Sequence, residues 1–74
     1  MKEIYISRHA KRQMKWRKIS DKEVEETIFD PEKLEDSIKG RKNAYKHISQ
    51  KWIKVTYKEE SDKFIIVTVI DKKN

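Results

Sequence analysis

Ser7-Arg8-His9-Ala10-Lys11-Arg12-Gln13-Met14-Lys15-Trp16-Arg17-Lys18-Ile19-Ser20-Asp21-Lys22-Glu23-Val24 contains two helix starts and one break, and its reading decides the fold. Ser7 has the short hydroxyl side chain that accepts backbone N–H bonds at a helix N-cap, which predicts a first helix over Arg8 to about Arg17. On such a helix Ala10, Gln13, Met14 and Arg17 share one side, while Arg8, Lys11, Arg12 and Lys15 crowd the other. That apolar stripe is narrow, so the helix depends on tertiary contact. Ser20-Asp21-Lys22-Glu23 has the S-x-x-E form of a capping box, and Ile19 with Val24 brackets it as a hydrophobic staple. A second helix is therefore expected over Asp21 to Phe29, ended by Asp30 and Pro31, with Val24, Thr27 and Ile28 inward. Its acids Asp21, Glu23, Glu25 and Glu26 lie toward the end that the helix dipole makes positive.

Working outward, Lys2 to Ser7 reads as a short strand with Ile4 and Ile6 on one face and Tyr5 on the other. After Pro31 the period becomes two. Lys33 to Ile38 is expected as a short edge strand, Lys39-Gly40 as a turn, and Arg41 to Ser49 as a strand. In Trp52 to Lys58 the residues Ile53, Val55 and Tyr57 alternate with Trp52, Lys54, Thr56 and Lys58, the pattern of a half-buried strand. The run Lys63 to Asp71 is apolar at nearly every position, as expected of a central strand covered by the helices. The fold class that follows is α+β: a strand, a helical hairpin, then an antiparallel meander, in two layers and one domain spanning residues 1–74.

Composition narrows the function. The 74 residues carry 19 Lys and Arg, 13 Asp and Glu and no Cys, for a net charge of +6. Without thiols there is no disulfide staple and no thiolate zinc site, and a chain this short buries only about 60% of its unfolded surface. No apolar run approaches the length of a membrane span, and Met1 to Ser7 lacks the apolar stretch of a signal peptide, so a cytoplasmic setting with no membrane contact is expected. The charge is segregated: seven Lys and Arg against one acid in residues 1–20, two against eight in 21–38, and seven against none in 39–58. Two basic segments flanking an acidic helix point to an anionic partner, above all RNA.

Candidate groups fall in both basic segments. His9, Arg12 and Trp16 can line one edge of the first helix, offering a proton-transfer group, a phosphate clamp and a stacking plate. Arg17 suits either phosphate or an acid of the second helix. Arg41, Asn43, Tyr45 and His47 share a strand face beside Trp52 and Lys54, and cations among aromatics bind single strands by charge and base stacking. Metal-independent RNA cleavage needs a base, an acid and cations at the phosphate, for which His9 and His47 are the candidate catalytic residues. Two histidines without cysteine make no metal spacing, and no glycine-rich phosphate loop or nucleophile elbow is present, so neither a metal nor a cofactor is expected. A non-catalytic nucleic-acid-binding module, or a protein-interaction domain docking an acidic partner, would use the same surface.

The run Ile6, His9, Ala10, Met14, Arg17, Ile19 and Ser20, with Val67-Thr68-Val69 near the end, resembles the uncharacterised family called domain of unknown function 4258, across nearly the whole chain. Arg12 lies one place from that family's usual first arginine. The family commonly has Gly where Lys18 stands, and a Gly in the hairpin after His47 that this chain lacks. Its order of elements resembles small RelE-like and BrnT-like toxins, which implies a RelE-like sheet packed on two helices and an endoribonuclease acting on RNA or ribosome-bound message, neutralised by an acidic antitoxin. RelE-like enzymes usually draw catalytic Arg, Lys, Tyr or His from the later strands and the C-terminus. Here Asp71-Lys72-Lys73-Asn74 provides no His or Tyr.

Overall fold

The computed structural model describes residues 3–72. Lys2, which the sequence reading puts in the first strand, and Lys73 and Asn74 at the far end lie outside them. Chain order is β1 (Glu3–Ile6), α1 (Arg8–Arg17), α2 (Asp21–Phe29), β2 (Lys33–Asp36), β3 (Arg41–Ile48), β4 (Lys51–Glu59) and β5 (Lys63–Asp71). The strands form one open sheet in the order β1-β5-β4-β3-β2. The meander β2 to β5 is antiparallel, and β1 returns alongside β5 in parallel, so the sheet is mixed.

Both helices begin where their caps are written. Ser7 Oγ accepts from the Ala10 amide at 3.1 Å, and its hydroxyl donates to the Val67 carbonyl at 3.4 Å, tying the start of α1 to β5. Ser20 and Glu23 form the reciprocal capping box, at 3.1 Å and 2.9 Å. Ile19 and Val24 are both buried, as the staple requires. From α1 only Ala10 and Met14 are buried, and from α2 Val24, Thr27 and Ile28. They meet Ala44, Ile53, Val55, Tyr57, Ile66 and Val69 from one face of the sheet. Both helices therefore cover the same face, and no described element packs on the other.

β5 is interior as expected, but the middle strand is β4. β5 also breaks the two-residue period. Thr56 pairs with Thr68 and Tyr57 with Ile66, so Val67 is an extra residue in the ladder. Without this bulge Ile66 and Val69 would point to opposite faces; with it both reach the core, where each is fully buried. Beyond Ile66 the short β1 has ended, and the Gln13 side chain of α1 takes over, accepting from the Val69 amide at 3.0 Å.

Two left-handed turns are built without glycine. Lys18, at the C-cap of α1, sits in the left-handed region at φ 56°, with its amide directed at the Lys15 and Met14 carbonyls. Ser49 (φ 50°) and Gln50 (φ 67°) form the two-residue turn between β3 and β4, the geometry in which Asn-Gly is favoured. In both places a side-chain-bearing residue holds a conformation that costs an L-residue roughly 1 kcal/mol or more.

Candidate nucleic-acid interface

The bare face of the sheet is defined by register. Lys42, Ala44, Lys46 and Ile48 of β3 point toward the helices, opposite Tyr57, Val55, Ile53 and Lys51. Arg41, Asn43, Tyr45 and His47 therefore point away, opposite Lys58, Thr56, Lys54 and Trp52. The grouping expected from alternation on β3 and β4 is what the structure places on one surface. Lys33 and Glu35 of β2 extend it, opposite Tyr45 and Asn43.

Three rings meet on this side of the sheet, the Tyr45 ring buried and His47 exposed. The Trp52 indole stacks on Tyr45 at 5.5 Å between centroids and 23° between planes, and meets the His47 imidazole at 4.0 Å and 32°. Lys33 Nζ lies 5.2 Å from the centre of the Tyr45 ring. Below the rings Thr56 donates to Asn43 Oδ1 at 2.7 Å, a buried pair that fixes the facing strands. Lys54 lies opposite Tyr45, and Arg41 and Lys58 pair with one another four residues along the same face, adding positive charge there.

Two carboxylates orient the polar ends of the rings. Glu32 accepts from the His47 amide at 3.2 Å and faces His47 Nδ1 at 3.0 Å. The His47 ring, and then its amide, hold the Glu32 carboxyl below the usual carboxylate range. At neutral pH that carboxylate is ionised and can only accept, so the proton of a neutral His47 sits on Nδ1 and Nε2 is left as the acceptor. Glu35 accepts from the Tyr45 hydroxyl. This bond, ahead of the nearby Lys33, holds the Glu35 carboxyl down, and the same bond, followed by burial, pushes the Tyr45 phenol up.

The remaining candidates lie elsewhere. His9, Arg12, Trp16 and Arg17 are all exposed on α1, which packs on the opposite face of the sheet. Arg12, Lys15 and Trp16 line a shallow open depression. His9 does not line it, and among the described residues no side chain hydrogen-bonds to it. The two histidines are thus on opposite sides and cannot act on one phosphate. Among the described residues Arg17 pairs with no acid of α2. The bond that closes the helical hairpin comes instead from Lys51, whose Nζ donates to the Lys18 carbonyl at 2.7 Å and to Glu23 at 3.1 Å. Burial works to raise the Glu23 pKa, but the Ser20 amide and Lys51 together outweigh it and leave that carboxyl below its usual range. Lys46 likewise anchors the end of α2 through the Asp30 carbonyl and carboxylate, at 2.8 and 3.1 Å. The sequence reading missed Lys33 and Glu35, whose only signal is alternation along a four-residue edge strand, and Glu32, which lies just before that strand and carries no such signal.

Fold and surface together define a small two-layer α+β domain with helices on one side of a mixed five-stranded sheet and a bare, cationic and aromatic face on the other. The chain belongs to the family described as Domain of unknown function (DUF4258), whose model matches residues 6–71. No curated protein and no solved structure matched. Among the described residues no helix is long and apolar enough to cross a membrane.

Proposed function

We propose that the uncovered sheet face binds single-stranded RNA, with Trp52 and His47 as the stacking platform, braced by the buried Tyr45 ring, and Arg41, Lys54 and Lys58 as phosphate contacts. The observation that carries this reading is the contact of Trp52 with His47, braced by the buried Tyr45 ring, among cations on a face that no described element covers. Every base has a π-face and every nucleotide a phosphate, so rings amid cations take a single strand without base-specific hydrogen bonds. Duplex recognition relies on groove shape and gains nothing from flat stacked rings. Fluorescence anisotropy of a labelled oligouridine tests the proposal. Binding should weaken steeply with salt and fall in Trp52→Leu and Lys54→Ser proteins; affinity indifferent to both changes would count against it.

A second reading, metal-independent cleavage of the bound RNA in the manner of RelE-like toxins, is favoured by the Glu32 and His47 pair. Glu32 leaves His47 Nε2 as the acceptor, the arrangement that orients a general base. In that reaction Nε2 takes the proton of a ribose 2′-hydroxyl, whose oxygen attacks the adjacent phosphorus. The P–O5′ bond breaks, the leaving oxygen takes a proton from water, and Arg41 or Lys54 steadies the charge on the phosphate. The order strand, helical hairpin and meander supports the RelE-like comparison by analogy of fold. Incubating RNA, and separately translating ribosomes, with wild-type and His47→Ala protein decides it: intact RNA in both would leave binding without cleavage.

A further inference from the structure

Helix α1 carries Arg8, Lys11, Arg12, Lys15 and Arg17 and no acid. None of these five side chains forms an ion pair with a described residue. Trp16, 82% exposed, lies beside Arg12 and Lys15 in the shallow depression. A bare indole among unpaired cations has the same chemistry as the sheet face, but it is turned the other way. α1 buries Ala10 and Met14 against the covered face of the sheet, whereas Trp52 and Lys54 project from the uncovered one.

We infer that α1 is a second contact for single-stranded nucleic acid and that one molecule holds two strands at once, one on each side. The inference rests on the reading of the sheet face given above. Charge complementarity selects a polyanion for α1, and the scarcity of apolar surface selects nucleic acid over an acidic protein. The two other apolar residues of the helix, Ala10 and Met14, are buried, so its outer side offers Trp16 but no cluster from which a protein interface builds its core. Two bound strands also tolerate one another. No principal dimension of the molecule is under 23 Å, more than twice the screening length of about 8 Å at physiological ionic strength.

Energy transfer between two short oligouridines, one labelled with a donor and one with an acceptor, tests this. Strands of about six nucleotides, near the lower end of single-strand site sizes, are too short to wrap both faces. The wild-type protein should give transfer that rises and then falls as protein is added, and sedimentation should find two oligonucleotides on one protein chain. Replacing Arg12, Lys15 and Trp16 together by Ser, all at exposed positions, should abolish transfer while one oligonucleotide still binds. Arg41→Ser with Lys54→Ser should also abolish transfer and leave the α1 contact. One-to-one binding without transfer overturns the inference and leaves the sheet-face reading intact; transfer that survives loss of the three α1 side chains overturns it as well. An oligoglutamate peptide that displaces RNA from α1 more effectively than unlabelled oligouridine assigns that surface to acidic protein instead. Failure to bind any oligonucleotide overturns both readings.

Discussion

The Glu32 carboxylate meets His47 at two points, its backbone amide at 3.2 Å and its ring Nδ1 at 3.0 Å, so one acid just before the edge strand sets both the strand end and the imidazole tautomer. Nitrogen-resolved NMR should find neutral His47 protonated at Nδ1. In Glu32→Gln the amide can donate as well as accept, and the two tautomers should mix. An Nε2-protonated imidazole in the wild type would contradict the assignment.

Stability should depend on acid in a defined direction. Glu23, Glu32 and Glu35 all sit below the ordinary value of 4.5 in the folded chain. A carboxyl whose folded pKa is depressed adds stability that is complete above its unfolded pKa and is lost as pH falls through the folded one. Urea midpoints should thus be flat above about pH 5.5 and fall progressively below 4.5. A midpoint that climbs on acidification would be the opposite sign.

Lys51 holds the Lys18 carbonyl and Glu23 together, joining the helical hairpin to the sheet. Lys51→Met keeps the aliphatic stem and removes those bonds. It should cost about 1–2 kcal/mol, discounted for partial exposure, and flatten the acid limb of the profile. Denaturant titration of wild type and variant at pH 7 and pH 4 checks both effects.

The glycine-free turns should be improvable. Lys18→Gly relieves a left-handed residue while keeping the carbonyl that Lys51 uses, and should stabilise by about 0.5–1 kcal/mol after the added flexibility of the unfolded chain is subtracted. Ser49→Asn with Gln50→Gly should gain a similar amount or somewhat more, about 1–2 kcal/mol. Thermal unfolding of each protein is the measurement, and a lowered midpoint would show that the side chains replaced make contacts worth more than the backbone strain.

RNA affinity should divide into stacking and charge. Losing the Trp52 ring should remove about 1–3 kcal/mol, roughly five- to 150-fold in affinity, because base stacking on an aromatic is worth that amount. Lys54→Ser should instead reduce the slope of log affinity against log salt by about 0.7, the value for one phosphate contact on a single strand. Equal salt slopes in wild type and Lys54→Ser would remove Lys54 from the phosphate path.

What was legible in the sequence was local. Ser7, Ser20 and Glu23 cap their helices because a hydroxyl or carboxylate reaches amides within three residues, and the starts of α1 and α2 follow from that, while Asp30 and Pro31 mark the end of α2. Alternation on β3 and β4 correctly grouped Arg41, Tyr45, His47, Trp52 and Lys54, since neighbours on an antiparallel hairpin share faces once its turn is set. The rest depended on partners distant in sequence. The extra residue Val67 is tied to Ser7, sixty positions away, and an unbroken apolar run shows no sign of it. Glu32 and Lys51 look like ordinary surface charge until register places them on His47 and Glu23. The side on which α1 lies, and with it the separation of His9 from His47, is decided by the parallel pairing of β1 with β5, which no local pattern records.

The most direct measurement is a map of backbone and indole N–H shifts on adding a short oligouridine. The amides of His47 and Lys54 and the Trp52 indole should move together with rising RNA, while those of the buried inward residues Ala44, Ile53 and Val55 stay nearly still. Shifts absent from the outward residues of β3 and β4 at saturating RNA would contradict it.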